Sequence, residues 1–239
     1  MQTLVVCAVS IDDVRDIFRA DEALAARLRA LAADTFSPPT AQKRRWFGPV
    51  LRHDEVRVDP AAPTHADMDA VLTGSFVAPD RLPQAWTLVA TWVQGVAAAS
   101  AKVPWNLART EQIEFDLARA GLNSDYALRN LAERDLGIPL RRLPDQIAGY
   151  AKHVQVVETL DALRSIDQRP EFTPEAHAVV DQLVGVLETA ANDPHLDLVA
   201  FTVPTNQSLS SAERQRGASV ESVPEQRRAP ARSVRRTGP

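Results

Sequence analysis

The chain has 239 residues, 45% of them hydrophobic and 24% charged, with a formal net charge of −4 and one cysteine. That composition is ordinary for a globular protein, and a lone cysteine excludes both a disulfide framework and a cysteine-rich zinc site. The charge is split: from Thr205 onward seven arginines and three glutamates make +4, which leaves −8 on residues 1–204, and an acidic body argues against a broad nucleic-acid-binding face.

Only Lys43, Lys102 and Lys152 are lysines, and the other basic residues are arginines. Together with the abundance of Ala, Leu, Val and Pro, this usage points to a GC-rich bacterial genome. No charged n-region precedes an apolar h-region, so no secretory signal is read. The most apolar run, "AWTLVATWVQGVAAASA" (85–101), has 17 residues with Gln94 and Gly95 near its middle. A membrane span needs about 20 apolar residues, so this run is expected to be a buried helix. The expected location is cytoplasmic.

In chain order, "TLVVCAVS" reads as a buried strand, a short continuous apolar run rich in valine. Ser10 is placed to cap a helix whose inward face is Val14, Ile17 and Phe18. A second helix is predicted over about 21–34, with Leu24, Leu28 and Leu31 inward, and "TFSPPT" stops it. "EVRV" (55–58) alternates like a brief edge strand. Further helices are predicted over 65–73, 82–101, 107–120, 124–135, 154–166 and 174–191, with Gly121 and Gly137 at C-terminal positions and Thr173, Pro174 and Glu175 starting the last. "LDLVAFTV" (196–203) is a second buried strand.

Unpaired strands leave backbone groups unsatisfied. The two end strands are therefore expected to pair in a small sheet covered by about eight helices, an α+β and predominantly helical domain over 1–204. Residues 205–239 contain no Phe, Trp, Tyr, Ile or Met. They cannot bury enough apolar surface to offset chain entropy, and a disordered arginine-rich tail is expected. Such a tail is suited to contact anions.

The candidate chemistry is sparse. "THADMD" (64–69) places His65, Asp67 and Asp69 on one face of a strand, where they would suit a divalent metal. Thr64 followed by Asp67, then Met68, Val71, Leu72 and Gly74, argues instead for a helix start, on which only His65 and Asp69 share a face. His65 and Asp69 remain the metal candidates. "QKRRWF" offers Lys43, Arg44, Arg45 and Trp46 as candidate partner-binding residues, a basic cluster with an aromatic to stack. His53, His153, His177 and His195 are scattered and form no H-x-x-x-H or H-E-x-x-H pattern. Cys7, inside the first strand, reads as a small buried hydrophobe. Glu111, Glu114 and Asp116 read as a solvated helical surface. There is no G-x-S-x-G elbow, phosphate loop or dinucleotide fingerprint, and no cofactor is expected.

The stretches "VVCAVSIDDVRDIF", "FDLARAGLNSDYALRNLAERDLGIPL" and "QIAGYAKHVQVVETLDAL" resemble an uncharacterised family of small bacterial proteins found often in actinomycetes. The resemblance spans roughly residues 1–204, and it implies no activity and no functional residue. The functional expectation is a non-enzymatic protein-binding or regulatory protein, such as an immunity-type inhibitor of a basic toxin, engaging a protein partner through its acidic surface. The alternative is a hydrolase with a site assembled from separate helices, metal-dependent through His65 and Asp69.

Overall fold

Seven consecutive residues of "TLVVCAV" are apolar or small because the strand they form, β1 (Gln2–Val9), is covered on both faces. In the computed structural model, which describes residues 2–36, 61–166 and 172–204, β1 is one of the two central strands. The chain runs β1, α1 (Ile11–Asp16), α2 (Glu22–Leu31), α3 (His65–Leu72), α4 (Leu82–Val96), β2 (Ala99–Trp105), α5 (Leu107–Arg119), β3 (Ala148–Ala151), α6 (His153–Arg164), α7 (Pro174–Ala191) and β4 (Asp197–Pro204). The strands form one antiparallel sheet in the order β2-β1-β4-β3. The end strands pair as expected, with Val5 opposite Phe201 and Val6 opposite Ala200. The fold is α+β and mostly helical, with seven α-helices among the described residues.

Alternate residues of the central strands feed two cores. Val5, Cys7, Val9, Val199 and Phe201 face α1–α4. Val6, Ala8, Leu198 and Ala200 face α6 and α7. A smaller cluster joins Ile113 and Leu117 of α5 to Ala176 of α7. Two fully buried tryptophans on α4 anchor the first core, and their indole N–H groups are satisfied: Trp86 donates to Arg141 O at 2.9 Å and Trp92 to Leu28 O at 2.7 Å. The long apolar run thus packs on the sheet, and among the described residues no helix is long and apolar enough to cross a membrane.

Three sequence expectations change. The helix over 82–101 ends at Val96, and residues 99–105 form β2. Alanine's helix propensity hid a period of two, in which Ala101 and Val103 are buried while Ser100, Lys102 and Pro104 are exposed. β2 is an edge strand, where a proline and a lysine are tolerated.

The helix over 124–135 is two short 3-10 turns, Ser124–Tyr126 and Leu128–Ala132. Ala127 between them is extended (ψ 142°), and the backbone beyond bridges to the sheet as Tyr150 N–H donates to Arg134 O at 3.0 Å. That bridge accompanies β3, the third change. "AGYA" carries no β-branched residue, and Gly149 is needed because a Cβ there would collide with Ala132 O. The expected helix total of about eight had counted 124–135 as helix. "EVRV", Lys43, Arg44, Arg45 and Trp46, and residues 205–239 lie outside the described residues.

Candidate functional site

The stretch "THADMD" folds as a helix start. Thr64 Oγ1 accepts from Asp67 N–H at 3.2 Å, and Asp67 Oδ2 accepts from Thr64 N–H at 2.8 Å, the reciprocal pair of a capping box. The three acidic and imidazole groups then part company. Asp67 takes a hydrogen bond from Arg81 Nε at 3.0 Å. Asp69 pairs with Arg29 at 3.2 Å, and His65 stacks on Phe36 with centroids 4.7 Å apart. Burial opposes the charge on Asp67, but hydrogen bonds from Arg81 and from the side chain and backbone of Thr64 outweigh it, aided by the Arg81 charge. They hold this carboxyl below its usual range. His65 and Asp69 share a face of α3, each already engaged with a different element.

A second polar cluster lies where β4 begins. Asp197 Oδ2 accepts from Ile11 N–H at 3.1 Å and Oδ1 from His153 N–H at 3.2 Å, while Lys152 Nζ lies 3.1 Å from Oδ2. One buried carboxylate thus caps the first turns of both α1 and α6. His153 Nδ1 lies 3.1 Å from Ala190 O, so this histidine is also part of the scaffold. His177 is exposed, beside Asp181 at 3.7 Å. Burial pushes the Cys7 thiol up to about 12, with Lys102 pulling weakly the other way. A thiol so protonated is a poor nucleophile.

The feature with room for a ligand is a cavity of about 330 Å³ on the second face of the sheet. Its floor includes buried Val6 of β1 and Leu198 and Ala200 of β4, with half-buried Leu4 of β1; Ile113 of α5 and Leu183 of α7 form walls. The alanine at 200 leaves unfilled what a larger residue would occupy. The exposed lining residues, Arg109, Arg129 and Arg142 with Pro104, mark the mouth, and Trp105 is half-buried among them.

Polar groups in the interior are already spent. Gln146 accepts from Leu143 N–H at 2.8 Å and donates to Thr202 O at 2.7 Å. Thr110 donates to Asn106 O at 3.1 Å. What remains is apolar space with cations at its entrance, the pattern expected of a small-molecule site.

None of the cavity residues stood out in the sequence as functional. One signal was available: on α5, Arg109 lies four residues before buried Ile113 and eight before buried Leu117. A basic residue there continues an inward stripe toward open space. No family model matches the chain, and no curated protein or solved structure matches it.

Proposed function

We propose that this chain is a non-enzymatic binding protein, acting as a carrier or ligand-responsive regulator, whose small apolar ligand occupies the cavity between the sheet, α5 and α7. The observation that carries the reading is the combination of a buried apolar floor with a cationic, solvent-reaching mouth. A non-catalytic role is supported by the placement of the polar side chains: His65, Asp69, His153 and Asp197 are engaged in stacking, pairing or helix capping. Calorimetric titration with 1-octanol tests it. One saturable equivalent is expected, with a Kd in the micromolar range or weaker for so small a ligand. Ala200→Leu, which fills the floor, is expected to abolish binding while the far-UV circular dichroism is kept. No saturable binding of any octyl compound, or undiminished binding to Ala200→Leu, refutes the reading.

A protein partner is a second reading, favoured by the outer face of α5. Leu107 and Phe115 are 62% and 58% exposed there, with Glu111 between them in the helical register, and a groove of about 270 Å³ runs beside Phe115, Leu122 and Glu114. A cationic partner suits the −8 of residues 1–204. Phe115→Ser is expected to release a partner captured by the native protein; retention of that partner by the variant would argue against this face.

A further inference from the structure

The mouth of the cavity selects among apolar ligands by charge. Of its three guanidiniums, two are already matched: Arg129 Nη1 lies 3.2 Å from Glu114 Oε2, and Arg142 Nη2 lies 2.5 Å from Asp135 Oδ2. The Arg109 guanidinium donates no hydrogen bond among the described residues. Its electrostatic neighbour Glu175, at the start of α7, is exposed and already hydrogen-bonded to Thr173 and to its own backbone. At that exposure solvent screens the attraction. Arg109 is therefore the one guanidinium of the three without a hydrogen-bonded carboxylate among the described residues, and it stands beside an apolar chamber. The indole N–H of Trp105, also in the lining, has no acceptor among the described residues.

The interior excludes other classes. With Gln146 and Thr110 committed to the backbone, a sugar or nucleobase would bury hydroxyls and amides without partners, which is costly. Size sets the chain length: at about 30 Å³ per non-hydrogen atom, the liquid share of one water, a volume of 330 Å³ holds roughly eleven such atoms. Building on the reading of this cavity as the ligand site, we propose that it takes a straight-chain monocarboxylate of about eight to ten carbons. The tail lies along Leu4, Val6 and Ala200, and the carboxylate sits against Arg109 and the Trp105 N–H. One guanidinium with its fork unused suits a monoanion, and that fork matches the two oxygens of a carboxylate.

The test is calorimetric titration of the full chain, wild type and Arg109→Gln, with octanoate, 1-octanol, octyl phosphate and octylammonium. Arg109 is exposed and its backbone N–H, not its side chain, meets the Asn106 cap at 3.3 Å, so the variant keeps the helix start. Arg109→Lys is a second variant that keeps the charge and loses the fork. Octanoate is expected to bind one equivalent at least tenfold tighter than octanol, the worth of one charge-assisted hydrogen bond, with octylammonium rejected. Arg109→Gln is expected to bring octanoate down to the level of octanol and leave octanol unchanged, with Arg109→Lys between.

If octanol matches octanoate, or if Arg109→Gln leaves octanoate unchanged, the head-group assignment is overturned while the cavity stands as an apolar site. If octyl phosphate binds more tightly than octanoate, the carboxylate is the wrong anion and the proposal fails in that form. If no octyl compound binds, both this assignment and the reading beneath it fall.

Discussion

Asp197→Ala removes a buried side chain that caps the first turns of two helices, α1 and α6. The Asp197 side chain is 7% exposed and takes the N–H groups of Ile11 and His153 at 3.1 and 3.2 Å. Hydrogen bonds to a charged acceptor contribute about 1.5–3 kcal/mol each. Losing both, with some water entry to the orphaned donors, is expected to cost about 4 kcal/mol. The third partner, Lys152, is 45% exposed. A salt bridge so open to solvent is worth at most about 1 kcal/mol, so Lys152→Met is expected to cost no more. Asp197→Asn keeps one acceptor oxygen and belongs between, at about 2 kcal/mol.

Urea unfolding followed by far-UV circular dichroism measures all three, as a lowered midpoint at unchanged slope. At about 2–4 °C per kcal/mol for a domain of this size, Asp197→Ala should lower Tm by about 10 °C. If Lys152→Met costs as much as Asp197→Ala, the cluster acts as an ion pair and the capping argument is wrong. A cost below about 1 kcal/mol for Asp197→Ala refutes it outright.

Gly149→Ala places a methyl group against Ala132 O, a backbone atom that cannot swing aside. It is expected to cost about 3 kcal/mol or more, read by the same urea assay; a neutral substitution would show that the contact between β3 and the 3-10 turn is loose. Because Asp67 is held below its usual range in the fold, its contribution is fully present above the ordinary carboxylate range and fades as pH falls through the depressed folded value. Asp67→Asn, which removes the carboxylate charge beside Arg81, is expected to cost about 2 kcal/mol at neutral pH. Thermal melts of the two proteins should converge in acid, and a gap constant down to pH 2 would remove Asp67 as the cause. Cys7, with its thiol pushed up to about 12, should resist a thiol-reactive disulfide reagent at pH 8 and react fully in denaturant. Rapid labelling of the native protein would place it nearer the surface.

The legible parts of this fold were those where local chemistry and tertiary environment agreed. β1 and β4 read as continuous apolar runs because helices cover both their faces. The starts of α1, α3 and α7 were visible in Ser10, Thr64 and Thr173, each of which accepts a backbone N–H at the helix start. β2 was hidden because alanine and serine suit a helix as well as they suit a half-buried edge. β3 was hidden because four small or aromatic residues have no period of their own, and only the approach of Ala132 explains Gly149. The apparent helix over 124–135 had suitable residues, but Asn123 and Asn130 bind nearby backbone groups and hold the segment in turns. The cavity was least legible. A void has no residue pattern, and Leu4, Ile113 and Ala200, which surround it, are distant in sequence.

The size of that void constrains its state. A sealed, dry cavity costs about 24 cal/mol per Å³, so 330 Å³ would forfeit about 8 kcal/mol. That is comparable with the whole stability of an ordinary domain, about 5–15 kcal/mol. The chamber is therefore filled when folded, by water or by a ligand, and the exposed arginines at its mouth show the way in. Water on a floor of Leu4, Val6 and Leu198 finds few partners, because Gln146 and Thr110 already have theirs. Displacing such water by methylenes is favourable at about 0.8 kcal/mol per group. The same alanine that leaves the floor open thus supplies a driving force for an apolar tail, while Arg109 decides which end of the molecule faces out.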